Sequence, residues 1–229
     1  MAQLIELPLR APSDPPEPPP VIINDTVDEW GRDERLIRGV APFAGLRWNV
    51  SVAGLDHVPE RAGALLVTNT RRLSLNQIFV SWALANETGR PVRFVGRPDI
   101  APMGAILRRL GALLHHPQEV EGALRHGELV LVATSPTGHP RHAGTVDHEL
   151  VGSAVRAGVR VLPVASMSSV FGRAARADVG PAVRPRRARR GPLAEVELAE
   201  SVQRQLQKML DEFGGVQTGV GAVDWLAEG

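Results

Sequence analysis

The sequence predicts an α/β protein: a mixed, largely parallel sheet with helices on both faces. Three observations carry this. Ala64–Thr68 and Leu129–Ala133 are short, continuous apolar runs, the pattern of strands buried on both sides. Between such runs the apolar residues fall at helical spacing, as in Ile78, Phe79, Trp82 and Ala83, or Ile100, Met103, Ile106, Leu107 and Leu110. The two patterns then alternate along the chain, with Gly89, Gly111, Gly127 and Gly158 as the stops between them.

In chain order, residues 1–23 read as a leader. Pro12, Pro15, Pro16, Pro18, Pro19 and Pro20 make it extended and poor in backbone donors. Asn24 or Asp25 is placed to cap a helix running to about Val40. Residues 46–52 alternate apolar and polar side chains, the period of a half-buried strand that Gly54 ends. Strand 64–68 is followed by a helix at 75–87, a strand at 92–96 and a helix at 100–110. A short helix at 120–125 precedes strand 129–133. Thr145 is expected to cap the next helix, with Asp147 and Glu149 in its first turn, where negative charge suits the helix dipole. Strand 159–165, a further strand at 176–183, and a helix with the apolar stripe Val202, Leu206, Met209, Leu210 and Phe213 complete one domain at 24–213. Residues 214–229 read as a tail in loop conformation.

The chain has 229 residues, room for one sizeable core, and a formal net charge of +1, which gives no global pull toward nucleic acid. Without cysteine, disulfides, thiolate metal sites and cysteine nucleophiles are excluded, which fits a cytoplasmic protein. The apolar start, Leu4 to Leu9, is broken by Glu6 and Pro8 and lacks a basic lead, so it does not read as a signal peptide. No apolar run approaches the roughly 18 residues of a spanning helix, so any membrane contact would be peripheral, at the inner face.

Four segments resemble the 1-acylglycerol-3-phosphate acyltransferase family, over residues 45–213. The strand at 64–68 leads into Asn69, Thr70, Arg71 and Arg72, where that family has Asn-His-x4-Asp. Phe94 to Arg97 and Met103 to Ala112 resemble its second region. Glu128 to Pro140 resembles the strand and loop where the family shows Phe-Pro-Glu-Gly-Thr-Arg-Ser, and Ala157 to Ala165 resembles its fourth region. The resemblance implies a glycerolipid-acyltransferase-like fold. In that family a His takes the acceptor hydroxyl's proton, an Asp orients the His, and the oxygen attacks an acyl thioester.

Here the His position is Thr70 and the Asp position is Leu75; sliding the register by one gives Asn76, still not an acid. The loop's Glu aligns with Thr137, its Arg with Pro140, and a cationic phosphate ligand after the second region with Pro117. Asn69, Pro136, Gly138 and Pro163 are retained and read as structural. The resemblance therefore implies a degenerate member that binds a lipid, acyl group or protein partner in the former active-site crevice, through Asn69, Arg71, Arg72, Thr137 and Gly138. Two alternatives stay open: an active acyltransferase with His139 as an atypical base, and a regulatory subunit of an active homologue.

Other residues carry paired readings. Arg71 and Arg72 are either a phosphate grip or a solvated turn. Arg184, Arg186, Arg187, Arg189 and Arg190 lack aromatic neighbours for nucleic acid, leaving an anionic-lipid contact or a solvated loop. His115 and His116 are adjacent and point apart, with no acid-rich partner following, so no metal site is assigned; no cofactor is expected either. His139 has the alternative of a solvent-facing loop histidine beside His142. Ser135 lacks the Gly-x-Ser-x-Gly context of a serine nucleophile.

Overall fold

The computed structural model describes residues 26–47, 49–71, 76–139, 141–168, 173–184 and 191–213. The expected leader at 1–23 and tail at 214–229 lie outside them. The elements are α1 (Glu34–Arg47), β1 (Asn49–Ala53), β2 (Ala64–Thr68), α2 (Asn76–Thr88), β3 (Val92–Arg97), α3 (Met103–Arg109), β4 (Ala112–Leu114), α4 (Pro117–Arg125), β5 (Leu129–Ala133), α5 (His148–Ala157), β6 (Arg160–Ser168), β7 (Ala174–Val179) and α6 (Pro192–Glu212). The strands form one sheet in the order β1-β7-β6-β2-β5-β3-β4. Every neighbouring pair is parallel except β6 and β7. The fully apolar runs β2 and β5 occupy its middle, as strands covered on both faces must.

Strand alternation divides the core between the faces. Leu66, Leu131 and Leu162 pack with Phe79, Val80 and Leu84 of α2. Leu65, Val67 and Val130 face the other way, onto Val120 of α4, Leu150 of α5 and Leu198 and Val202 of α6. Arg156 ties these three helices together: its guanidinium reaches Glu121 of α4 and Glu195 of α6, both at 2.8 Å. The hydrogen bond to Glu121 and the charges of both carboxylates raise the pKa of Arg156.

Several boundaries differ from expectation, each for a local reason. α1 starts at Glu34 rather than near Asp25, because Asp33 caps it, accepting the backbone N–H of Arg35 at 3.0 Å and Leu36 at 3.3 Å. The helix then runs through Arg47, so the strand expected from 46 starts at Asn49; a short period-two pattern cannot separate a strand start from a last helical turn. α5 is capped by Asp147, not Thr145. The Thr145 N–H instead donates to Ser135 Oγ at 2.7 Å. β4 is three residues long, too short for periodicity to reveal. The strand expected at 176–183 ends at Val179, and Val183 makes only an isolated bridge to Val161.

Candidate functional site

Open parallel sheets gather their ligand crevices at the carboxyl ends of the strands. Asn69 and Thr70 follow directly on β2, in the middle of the sheet. The backbone pairing of β2 with β6 ends at Thr68 and Val164, and the Asn69 side chain carries it one step further. Its Oδ1 accepts the Ser166 N–H at 2.8 Å and lies 3.0 Å from Ser166 Oγ, while its Nδ2 donates to Ser166 O at 2.9 Å. Asn69 is 1% exposed. The amide stands in for a strand residue and fixes where Thr70 sits. Asn76 adds a longer bond, Nδ2 to Asn69 O at 3.4 Å, from the first residue of α2.

The loop after β5 closes onto the same strand end. Thr134 N–H donates to Thr68 O at 2.9 Å and Thr137 N–H to Thr70 O at 3.1 Å. The loop's return limb is held by Ser135, whose N–H donates to Thr145 O at 2.8 Å. Gly144 makes that return possible. Its φ is +72°, and a Cβ there would lie 2.3 Å from Ser135 O. Gly138, retained in the resemblance, has open space around it and no such need for glycine.

Between these turns lies a cavity of about 850 Å3. Thr70 and Arg71 line it from the β2 end, Ser135 and Pro136 from the β5 loop. Gly96 and His115 line it from the ends of β3 and β4, and Asp147 and Glu149 from the start of α5. Arg71 is partly buried, with Nη2 donating to Ser168 O at 3.1 Å, and desolvation lowers its pKa from the ordinary arginine value.

The structure thus brings Thr70 and Arg71 to one cavity, with Asn69 as the clamp beneath. Thr137 meets Thr70 through its backbone N–H, and its hydroxyl, 3.5 Å from Thr70 O, donates more closely to His139 O in its own loop, at 2.9 Å. Thr137, Gly138 and His139 are not among the cavity's lining residues. The exposed His139 ring packs against His142 with centroids 5.2 Å apart, and its Nδ1 accepts the Arg141 N–H at 3.2 Å. Leu75, Arg72, Pro140, Arg186, Arg187, Arg189 and Arg190 lie outside the described residues. Arg184 follows the bridge of Val183 to Val161, at the amino end of β6, so it sits at the opposite end of the sheet from the cavity. Among the described residues no three His, Asp or Glu side chains converge as a metal site would require. Nor is any described helix long and apolar enough to cross a membrane.

One pair escaped the sequence reading. His115 Nε2 lies 2.9 Å from Asp147 Oδ2, and both residues line the cavity. They are 32 positions apart, so a search for an acid following the histidines could not join them. The available signal was topological: one follows β4, the other ends the loop after β5, and all carboxyl-end turns of a parallel sheet share one edge.

No family model matches the chain, and no curated protein matches it by sequence. Among solved structures it is similar to the crystal structure of the 1-acyl-sn-glycerophosphate (LPA) acyltransferase, PlsC, from Thermotoga maritima. The TM-score is 0.56 at 18% identity, over 79% of this chain and 81% of that one. The fold is a PlsC-like acyltransferase fold. At that identity the likeness speaks for the backbone alone.

Proposed function

We propose that this acyltransferase-fold protein binds a lipid or acyl-bearing ligand in the crevice at the carboxyl end of β2, and that the family's own catalytic positions no longer perform acyl transfer. The observation that carries this reading is the combination at one strand end: a cavity of about 850 Å3 beside a 9% exposed Thr70 where the resemblance has its base. A threonine hydroxyl does not act as a base near neutral pH without a base of its own. Loss of a positioned general base costs about 10²–10⁴-fold in rate. The apolar walls, Val95, Val132 and Val146, suit an acyl chain, and Arg71 suits an anionic group. The alternative in which His139 replaces the base is disfavoured, since its ring packs with His142 in an exposed loop.

Mass spectrometry of the purified protein under native conditions tests the reading. An acyl-bearing species that co-purifies, and is lost when Ala133 is enlarged to Trp to obstruct the cavity from its β5 wall, supports it. A protein that emerges empty and fails to take up lysophosphatidate or an acyl thioester overturns it. Thr70→His is expected to add no transfer at the β2 turn, because Leu75 stands at the position of the orienting acid.

A further inference from the structure

We propose that His115, oriented by Asp147, is the proton-transfer group of this crevice and acts on an acyl ester or thioester held at the β4 side. The proposal rests on the ligand reading above and specifies chemistry for the same cavity. His115 follows the edge strand β4, and Asp147 caps α5. The Asp147 carboxylate is locked by both oxygens. Oδ1 accepts the backbone N–H groups of Glu149 at 2.9 Å and Leu150 at 3.4 Å, which leaves Oδ2 for the imidazole at 2.9 Å. A carboxylate only accepts, so this network assigns the hydrogen to Nε2 and the lone pair to Nδ1. Among the described residues Nδ1 has no hydrogen-bond partner, and the side chain is 62% exposed, open to a reactant in the cavity. A histidine whose far nitrogen is fixed by a carboxylate is the arrangement a general base requires.

The position also fixes the pose. From β2 to β4 the sheet order runs β2-β5-β3-β4, three strand spacings. At about 4.8 Å each, His115 stands about 14 Å from the β2 turn that carries Thr70. It cannot serve an acceptor placed at Thr70. The acyl carbonyl it serves lies across the cavity, leaving the Arg71 side for the rest of the ligand.

In the step itself, Nδ1 takes the proton of a hydroxyl, from water or an alcohol, as that oxygen bonds to the acyl carbonyl carbon. The bond from that carbon to the leaving sulfur or oxygen breaks, and the leaving group takes the proton back from His115. No oxidant or metal is consumed, and the imidazole ends as it began.

The test uses the full chain and a medium-chain acyl thioester of coenzyme A, with thiol release followed with and without lysophosphatidate. Wild type is expected to release thiol above the blank. His115→Gln lies at the surface, will fold, and is expected to lose about 10²–10⁴-fold in kcat. Asp147→Asn keeps a capping side chain but loses the carboxylate, and is expected to lower kcat at least tenfold with KM unchanged and little change in Tm. His126→Gln, at the opposite end of the sheet, is expected to match wild type. Free acid as product identifies water as the acceptor; acylated lysophosphatidate identifies the lipid hydroxyl. No turnover by wild type, turnover untouched in His115→Gln, or a loss confined to His139→Ala each overturns the proposal. Asp147→Asn at full kcat removes Asp147 from it. A thioester seen bound by native mass spectrometry but never turned over sinks the dyad while leaving the ligand reading intact.

Discussion

Replacing Asn69 by Ala should destabilise the protein well beyond the loss of a surface amide. The substitution removes the contacts to Ser166 at 2.8, 2.9 and 3.0 Å. Ser166 is itself 1% exposed, so its backbone N–H and C=O lose their partners where water cannot replace them. An ordinary hydrogen bond contributes about 0.5–1.5 kcal/mol net, and each buried group left unpaired costs about 1–3 kcal/mol. With partial relaxation the sum is about 2–5 kcal/mol. For a chain of this size each kcal/mol shifts Tm by about 2–4 °C, so the expected fall is about 4–20 °C. Asn69→Asp should fare no better: it keeps an acceptor but loses the donor to Ser166 O and buries a charge. Thermal melts and urea midpoints measure both. An Asn69→Ala protein within about 2 °C of wild type would mean that the amide does not splice β2 to β6, and the account of how Thr70 is positioned would fall with it.

Three further outcomes are expected. Gly144→Ala should lower stability by about 1–3 kcal/mol, the cost of a strained backbone position, while Gly138→Ala should stay within about 0.5 kcal/mol; equal effects on Tm would refute the assignment of Gly144 as the loop's obligatory glycine. The Asp33 carboxyl is held below the usual aspartate range, chiefly by the Arg109 guanidinium at 2.6 Å, so its contribution is present above the unfolded value of about 3.9 and is lost as pH falls through the lower folded value; Asp33→Asn should flatten that part of the stability profile, and an unchanged profile would exclude the pair as its source. Any membrane contact is expected to run through Arg184 and the arginines after it, to favour anionic vesicles and to release in high salt, since exposed charge is screened within about 8 Å at physiological ionic strength; binding to neutral vesicles that survives high salt would move the contact to apolar side chains such as Phe43 and Leu46, which are 70% and 66% exposed.

The fold was legible where burial writes a pattern. β2 and β5 could be read because a strand covered on both faces leaves no place for polar alternation, and they proved to be the sheet's centre. β6 was legible despite Pro163. That residue's missing N–H falls on the side where Pro163 O meets Gly180 N–H at 2.8 Å, beyond the last β7 ladder pair, so the ladder to β2 is untouched. Legibility failed where structure depends on side chains folding back on the main chain. Asp33 and Asp147 both act as caps, but near each stood another plausible capping residue, and only the three-dimensional path of the loop chooses between them. The β4 edge strand was hidden for the opposite reason: three residues paired on one side carry no period at all.

The crevice divides along the same line. Its location follows from topology, because a parallel sheet with crossover helices collects its strand-end turns on one edge. Its chemistry does not, because a turn is a position that several residues can fill. The motif at the β2 turn marks Thr70 and Asn69, and the loop after β5 adds the exposed His139. Nothing in the local sequence of His115 points to Asp147; the two meet because β4 and the loop after β5 end on the same rim. The useful unit for reading such a site is therefore the whole rim rather than a motif. An imidazole set against a carboxylate anywhere along it has the wiring a proton transfer needs, and strand spacing then says which part of the cavity it reaches.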